Sequence, residues 1–177
     1  MLRGEKVGLR ARRAEDVPIL HEDLYEDVAT RSRADSRPWR PIAAGSAASP
    51  YAVADPSDDA AVFSVVDLDD DELAGEALLW GLDLHHRCAH IGVSLRPTYR
   101  GRGFGTDVVH VLCAYAFETR GLHRVQVDTL AHNSAMISAA TRVGFSAEGT
   151  LRKAAWVNGE FADELLLGLL VNEWSPR

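Results

Sequence analysis

Apolar and polar residues alternate along Val7-Gly8-Leu9-Arg10-Ala11-Arg12, the period-two pattern of a half-buried strand. Glu15 and Asp16 then open a helix: acidic side chains suit its positive end, and Pro18 is tolerated in a first turn. The helical spacing fades after about Ala29. Ala61 to Val66 and Leu73 to Trp80 read as strands, and Ala89 to Leu95 as the fourth in the chain. The clearest helix runs from Thr106 to Arg120. Its Val108, Val111, Leu112, Tyr115 and Ala116 follow i, i+3, i+4, i+7, i+8 spacing, and Gly121 can stop it in the left-handed conformation. Val125 to Thr129 is a strand. A second helix, capped by Asn133 or Ser134, carries Met136, Ala139, Ala140 and Val143 on one face and closes at Gly144. Strands over Leu151 to Val157 and Leu165 to Val171 follow, joined by Asn158-Gly159. With no internal repeat, the pattern predicts an α+β (mixed α/β) fold: one sheet with helices, a single domain over residues 1–177.

Two stretches stand apart. From Ser32 to Ala61, Pro38, Pro41, Pro50 and Pro56 punctuate an Ala/Ser/Asp-rich run with Trp39 and Tyr51, which reads as mostly loop. So long a loop is either a lid or binding loop, or a plain connection. Between the second and third strands, Asp67-Leu68-Asp69-Asp70-Asp71-Glu72 gathers five carboxylates, which requires an exposed turn. It is either a solvated hairpin tip or an attractor of cationic substrate.

Composition narrows the class. The formal net charge of −7 lacks the basic balance of a nucleic-acid binder, so no nucleic-acid partner is expected. No apolar run approaches the roughly 18 residues that span a bilayer, and no membrane partner is expected. Two cysteines, Cys88 and Cys113, make no disulfide framework, which points to a reducing cytoplasm.

The most informative passage joins the fourth strand to the clear helix: Arg100-Gly101-Arg102-Gly103-Phe104-Gly105. Glycines let the backbone approach a ligand, and the first amides of a helix lack internal partners, so turn and dipole together form an anion site. Arg100 and Arg102 add charge suited to phosphate. Two nucleotide motifs fail by spacing. A Walker loop needs Lys followed by Ser or Thr after its second glycine, and none is present. A dinucleotide fingerprint counted from Gly101 needs glycine where Thr106 stands; counted from Gly103, it needs glycine where Val108 stands.

Arg100-x-x-Gly103-x-Gly105 does resemble the pyrophosphate-binding signature of the GNAT superfamily of acyl-CoA N-acyltransferases: Gln or Arg, two residues, Gly, any residue, Gly or Ala. His90-Ile91-Gly92-Val93-Ser94-Leu95 before Arg96-Pro97-Thr98-Tyr99 looks like that family's fourth strand and loop entry. Asn133, followed eleven residues later by Gly144-Phe145, is similar to its next strand–helix unit. Glu148-Gly149-Thr150-Leu151-Arg152 and Gly159-Glu160-Phe161-Ala162-Asp163 resemble the RimJ/RimL-like branch. The likeness covers roughly Leu73 to Trp174.

That resemblance implies a central, mostly antiparallel sheet flanked by helices, with the cofactor loop between the fourth strand and the long helix. It implies acetyl-CoA as co-substrate. The loop Arg100, Gly101, Arg102, Gly103, Phe104, Gly105 and Thr106 would hold its pyrophosphate, largely through the amides of Arg102 to Thr106. Val93, Ser94 and Leu95 would hydrogen-bond the pantetheine arm like an added strand, and Asn133 would contact the same arm. Residues 32–61 would correspond to the variable acceptor-binding region, and a homodimer is an expectation of the same kind.

Acetyl transfer from a thioester to an amine needs the amine neutral, so a base must take a proton, and the oxyanion must be stabilised. Attack in the family is direct, so no cysteine nucleophile is required, and both cysteines read as packing residues. His90 is the first candidate base: it lies about where histone-type relatives carry a glutamate, and imidazole titrates near neutrality. Glu76 is the second. Each also reads as a strand side chain with a hydrogen-bond partner. His86, Cys88 and His90 share a strand face, but no paired ligand set accompanies them, and no metal is expected. One position departs from the family. Relatives often place Ser three residues, or Tyr seven, after the asparagine to protonate the thiolate; here Met136 and Ala140 stand there. Two functions follow: an N-acetyltransferase for a protein N-terminal amine or a small primary amine, or an inactive acyl-CoA-binding regulatory module of the same fold.

Overall fold

The alternating segments pair into one eight-stranded sheet in a computed structural model that describes residues 1–34 and 37–176. The strands are β1 (Leu2–Arg3), β2 (Val7–Arg10), β3 (Ala60–Asp67), β4 (Leu73–Asp83), β5 (Cys88–Leu95), β6 (Arg124–Leu130), β7 (Ser146–Val157) and β8 (Glu160–Leu170). Their spatial order is β1-β2-β3-β4-β5-β6-β8-β7. Neighbours run antiparallel, and only β5 and β6 are parallel, so the sheet is mostly antiparallel as expected. The strand read as fourth is β5, because the short β1 folds back onto β2 ahead of it.

The helices are α1 (Asp16–Leu20), α2 (Val28–Ala34), α3 (Phe104–Ala114) and α4 (Ser134–Val143). The single helix expected from Glu15 to about Ala29 is broken. A π turn over His21–Tyr25 follows α1, with Glu26 N–H reaching His21 O at 3.1 Å. The wider turn keeps Leu20, Leu24 and Tyr25 together under Tyr51 and Leu73, a small core of their own. α3 also ends in a π turn, Tyr115–Thr119, which carries Ala116 and Phe117 into the main core before Gly121 turns the chain at φ 64°. That core packs Val108, Leu112 and Cys113 of α3 against Leu9, Leu79, Ala89, Ile91 and Val125 of the sheet. The Asn158-Gly159 turn between β7 and β8 has φ of 50° and 92°, as a two-residue hairpin demands.

The region read as loop from Ser32 to Ala61 begins inside α2; Asp35 and Ser36 lie outside the described residues. Its remainder is irregular but pinned. Trp39 Nε1 donates to Tyr25 O at 3.1 Å, Tyr25 Oη donates to Arg40 O at 2.8 Å, and Tyr51 is buried. The acidic turn fits neither expectation fully. Asp69 to Asp71 are exposed, but Asp67 is buried and accepts from Asp69 N–H, and Glu72 accepts from Tyr99 Oη at 2.9 Å. Two of its five carboxylates therefore hold structure in place.

Candidate active site

β5 and β6 pair only over Cys88–His90 and Arg124–Gln126; beyond these residues no ladder joins them. On its other edge β5 stays paired to β4, with Ala77 opposite Val93, Glu76 opposite Ser94 and Gly75 opposite Leu95. The β6-facing backbone of Val93 to Leu95 is thereby released from the sheet at one edge. A strand in that state can pair with an extended ligand.

This edge leads into the glycine loop. After a 3₁₀ turn at Pro97–Tyr99, Gly101 and Gly103 adopt φ of 73° and 85°, a conformation that disfavours side chains. Gly103 precedes the first turn of α3, and the first helical bond runs from Asp107 N–H to Gly103 O at 3.3 Å. The N–H groups from Arg102 to Thr106 are left at the helix start, where an anion suits them. Arg100 is exposed, its Nε donating to Leu95 O at 2.9 Å. The Arg102 guanidinium lies 4.8 Å from the Phe104 ring centroid and 3.5 Å from Asp67. The loop thus presents backbone donors and two cations, a donor set that fits a pyrophosphate.

Residues distant in sequence hold the loop. The Asp107 carboxylate accepts from the N–H groups of Glu5, Lys6 and Val7 at 3.2, 2.8 and 3.0 Å. Lys6 Nζ donates to Arg102 O at 2.9 Å. Arg96, at the loop entry, donates to Asp23 of the first π turn at 2.6 Å and to Leu73 O at 2.5 Å. Sequence reasoning passed over Lys6, Asp23 and Asp107, because nothing in the local pattern marks a partner 73 to 102 residues away.

The two candidate bases sit apart. Glu76 opposes Ser94, whereas His90 opposes Trp80 on the same sheet face, four residues or about 13 Å along the strand. Glu76 is buried, and its Oε2 accepts from Arg12 Nη2 at 2.7 Å. Burial pushes its carboxyl up, and the Arg12 guanidinium only partly reverses this. Tyr51 lies over that pair, its ring centroid 5.7 Å from Arg12 Cζ; burial pushes its phenol up as well.

His90 stands at the last paired position before β5 and β6 part. Its Nδ1 donates to Asp128 Oδ2 over 2.5 Å, since an ionised carboxylate can only accept. Gln126 Nε2 donates to Asp128 Oδ1 at 2.8 Å, and Trp80 stacks on the imidazole with ring centroids 4.1 Å apart. Burial would raise the Asp128 carboxyl, but hydrogen bonds from His90 and Gln126 outweigh it and hold the group below its ordinary value. Gln126 and Asp128 went unnoticed in the sequence, although their spacing of two residues places both on one face of β6.

Asn133 caps α4: its Oδ1 accepts from Met136 N–H at 3.2 Å, and its Nδ2 donates to Thr129 Oγ1 at 2.9 Å. Half of the side chain's hydrogen-bonding capacity is engaged there. His86 belongs to the turn before β5, where it bonds Asp83, and among the described residues no group of three potential metal ligands gathers. Cys113 is buried, which pushes its thiol up. Two hollows lie away from the strand fork: one of about 620 Å³ is lined by Thr150 to Lys153 and Asp163, another of about 510 Å³ by the β1 segment, α3 and Trp174.

Known proteins are similar to this chain in sequence and in fold. The sequence profile of the acetyltransferase (GNAT) domain matches residues 6–146. YdaF of Bacillus subtilis (strain 168) is 35 % identical over 105 residues, which cover 59 % of this chain and 57 % of YdaF. The [ribosomal protein uS5]-alanine N-acetyltransferase of Escherichia coli (strain K12) is 25 % identical over 116 residues, 64 % of this chain and 59 % of that enzyme. The chain therefore spans less than two thirds of the length of these curated relatives. Spermidine N-acetyltransferase from Vibrio cholerae, solved in complex with CoA and spermine, shares the fold with a TM-score of 0.78 at 20 % identity, covering 94 % of this chain and 96 % of that one.

Proposed function

The chain belongs to the acetyltransferase (GNAT) domain family, and from that premise we propose that it moves an acetyl group from acetyl-CoA to a primary amine by direct attack in a ternary complex. The observation that carries this reading is the released β5 edge running straight into the glycine loop. Loop amides from Arg102 to Thr106, with Arg100 and Arg102, would hold the pyrophosphate; Val93 to Leu95 would hold the pantetheine arm. Asn133, which caps α4, would meet that arm through the second lone pair of its Oδ1 or the second hydrogen of its Nδ2. Acetyl-CoA supplies the activated carbonyl.

The acceptor, arriving as an ammonium, sheds two protons in all: one to a base on the protein, the other to the departing sulfur. The His90–Asp128 pair, at the fork of the two strands, is the base assembly of this reading. Glu76, covered and ion-paired, suits support of the strand better than proton transfer. The acceptor is a protein N-terminal amine or a small-molecule amine; the names of the uS5-alanine and spermidine enzymes support one class each. Residues 32–61 form the acceptor side. A homodimer belongs to the same reading, supported by the open edge of β7, exposed from Ser146 to Ala154. So does a cytoplasmic home, supported by the free Cys88 and Cys113; no helix among the described residues is long and apolar enough to cross a membrane.

Incubation of acetyl-CoA with a broad amine panel tests the function: free thiol and an acetylated product of the right mass are expected. Stabilisation by acetyl-CoA without turnover supports the binding module instead, which Met136 and Ala140 favour by occupying the usual acid positions. Neither turnover nor stabilisation sinks both readings. His90→Ala should lower kcat/KM severalfold or more and change its pH profile. An unchanged pH profile would sink that role.

A further inference from the structure

Two carboxylates occupy one face of the sheet near the fork, and their surroundings differ. Glu76 is buried and neutralised by Arg12. Asp128 is more open, its side chain 22 % exposed, and its direct ion-pair partner among the described residues is His90. The guanidinium on its own strand, Arg124, is engaged by Glu148. Asp128 also stands two residues beyond Gln126, the last residue of β6 paired to β5, so it lies where the strands have already separated.

The orientation of His90 sharpens the contrast. Its Cδ2–Nε2 edge lies against β4: a Cβ placed on Gly81 would sit 3.3 Å from Cδ2 and 3.8 Å from Nε2. Its Nδ1 edge faces β6 and already serves Asp128. A base acting through Nε2 would therefore act from the side away from the fork. The carboxylate oxygens each have two lone pairs; Gln126 and His90 use one apiece, which leaves one on each for a ligand.

We infer that Asp128 is the residue that receives the acceptor's ammonium group, with His90 and Gln126 as positioning residues behind it. This rests on the acetyltransferase reading above. The ammonium docks by a charge-assisted hydrogen bond to a free Asp128 lone pair. One N–H bond then breaks, and its proton passes to the Asp128–His90 pair, which goes from one shared proton to two and from net −1 to neutral. The freed nitrogen lone pair attacks the thioester carbonyl; the C–S bond then breaks, and the sulfur leaves with the nitrogen's second surplus proton as the CoA thiol. The pair returns its proton to solvent after product leaves.

The test uses full-length protein, acetyl-CoA and the amine shown to be turned over. Asp128→Asn, which keeps the shape, should raise the amine's KM about ten- to a hundredfold, the effect of losing one charge-assisted contact, and leave the KM for acetyl-CoA unchanged. Gln126→Ala should have a smaller effect on the amine's KM than Asp128→Asn. An amine KM that moves less than twofold in Asp128→Asn overturns the inference. Without turnover by the wild type, the acetyltransferase reading fails separately. A titration of n-butylamine into CoA-loaded protein, followed by the His90 ring nitrogens in NMR, then decides: shifts present in wild type and lost in Asp128→Asn support the docking site, and equal or absent shifts in both reject it.

Discussion

Asp16 shows how one side chain changes meaning between sequence and structure. In the sequence it is an acidic residue at a helix start. In the fold it is buried, accepting from Arg10 at 2.6 and 2.8 Å, from Arg13 N–H at 2.8 Å and from Ser64 Oγ at 2.7 Å. Burial alone would raise its pKa; these bonds prevail and hold it at about 2. Because the folded value lies below the unfolded one of about 3.9, its stabilisation is fully present above pH 4 and is lost as pH falls from about 4 to about 2. Asp16→Asn should therefore flatten that acid limb in urea denaturation measured across pH, removing roughly 2 kcal/mol at neutrality. Glu76 poses the opposite case. Glu76→Gln leaves the Arg12 guanidinium, only 4 % exposed and already without partners at Nε and Nη1, as a buried uncompensated charge. The loss should be about 3 kcal/mol or more in the same assay. An active Glu76→Gln with its pH profile intact would confirm a supporting role.

At the level of elements, most of the fold was legible because strands and helices write local periods. The glycines after the last two helices, the hairpin Asn158-Gly159 and the loop signature were readable for the same reason. Element ends were less so. The first helix breaks at a π turn because Leu20, Leu24 and Tyr25 must all reach Tyr51, a demand that comes from outside the segment. The start of α3 is tied to the first hairpin by Asp107. Asp107→Ala should strand three buried or half-buried N–H groups and cost about 2–3 kcal/mol, read as a lower Tm. CoA affinity should fall with it, measured by calorimetry below the melting range, because the loop loses its anchor. Gly103→Ala forces a side chain to φ 85° and its Cβ to 3.3 Å from the movable Lys6 ammonium. Its stability cost should stay near 1 kcal/mol, with CoA affinity falling by a larger factor than stability alone explains.

The whole molecule carries −7 while its glycine loop carries two arginines, so global and local charge point in different directions. A cationic amine is attracted by the former at long range. Its KM should rise several-fold as salt goes from about 0.01 to about 0.15 M, where the screening length shortens from about 30 to about 8 Å. A neutral analogue should show no such trend. CoA at about 100 times its Kd should add roughly 2.7 kcal/mol to stability, a gain read as a rise in Tm.

By itself the sequence determined the sheet-and-helix pattern, the glycine-rich loop and the family resemblance, because each is written in residues a few positions apart. It also placed His90 and Glu76 on strands of one sheet. Only the tertiary structure decided what surrounds each of them. His90 meets Asp128 across 38 residues, and Glu76 meets Arg12 across 64. Strand register and burial make one carboxylate open beside an imidazole and the other closed beneath a guanidinium. Register and burial are properties of the assembled sheet, set by long-range pairing that no local period encodes.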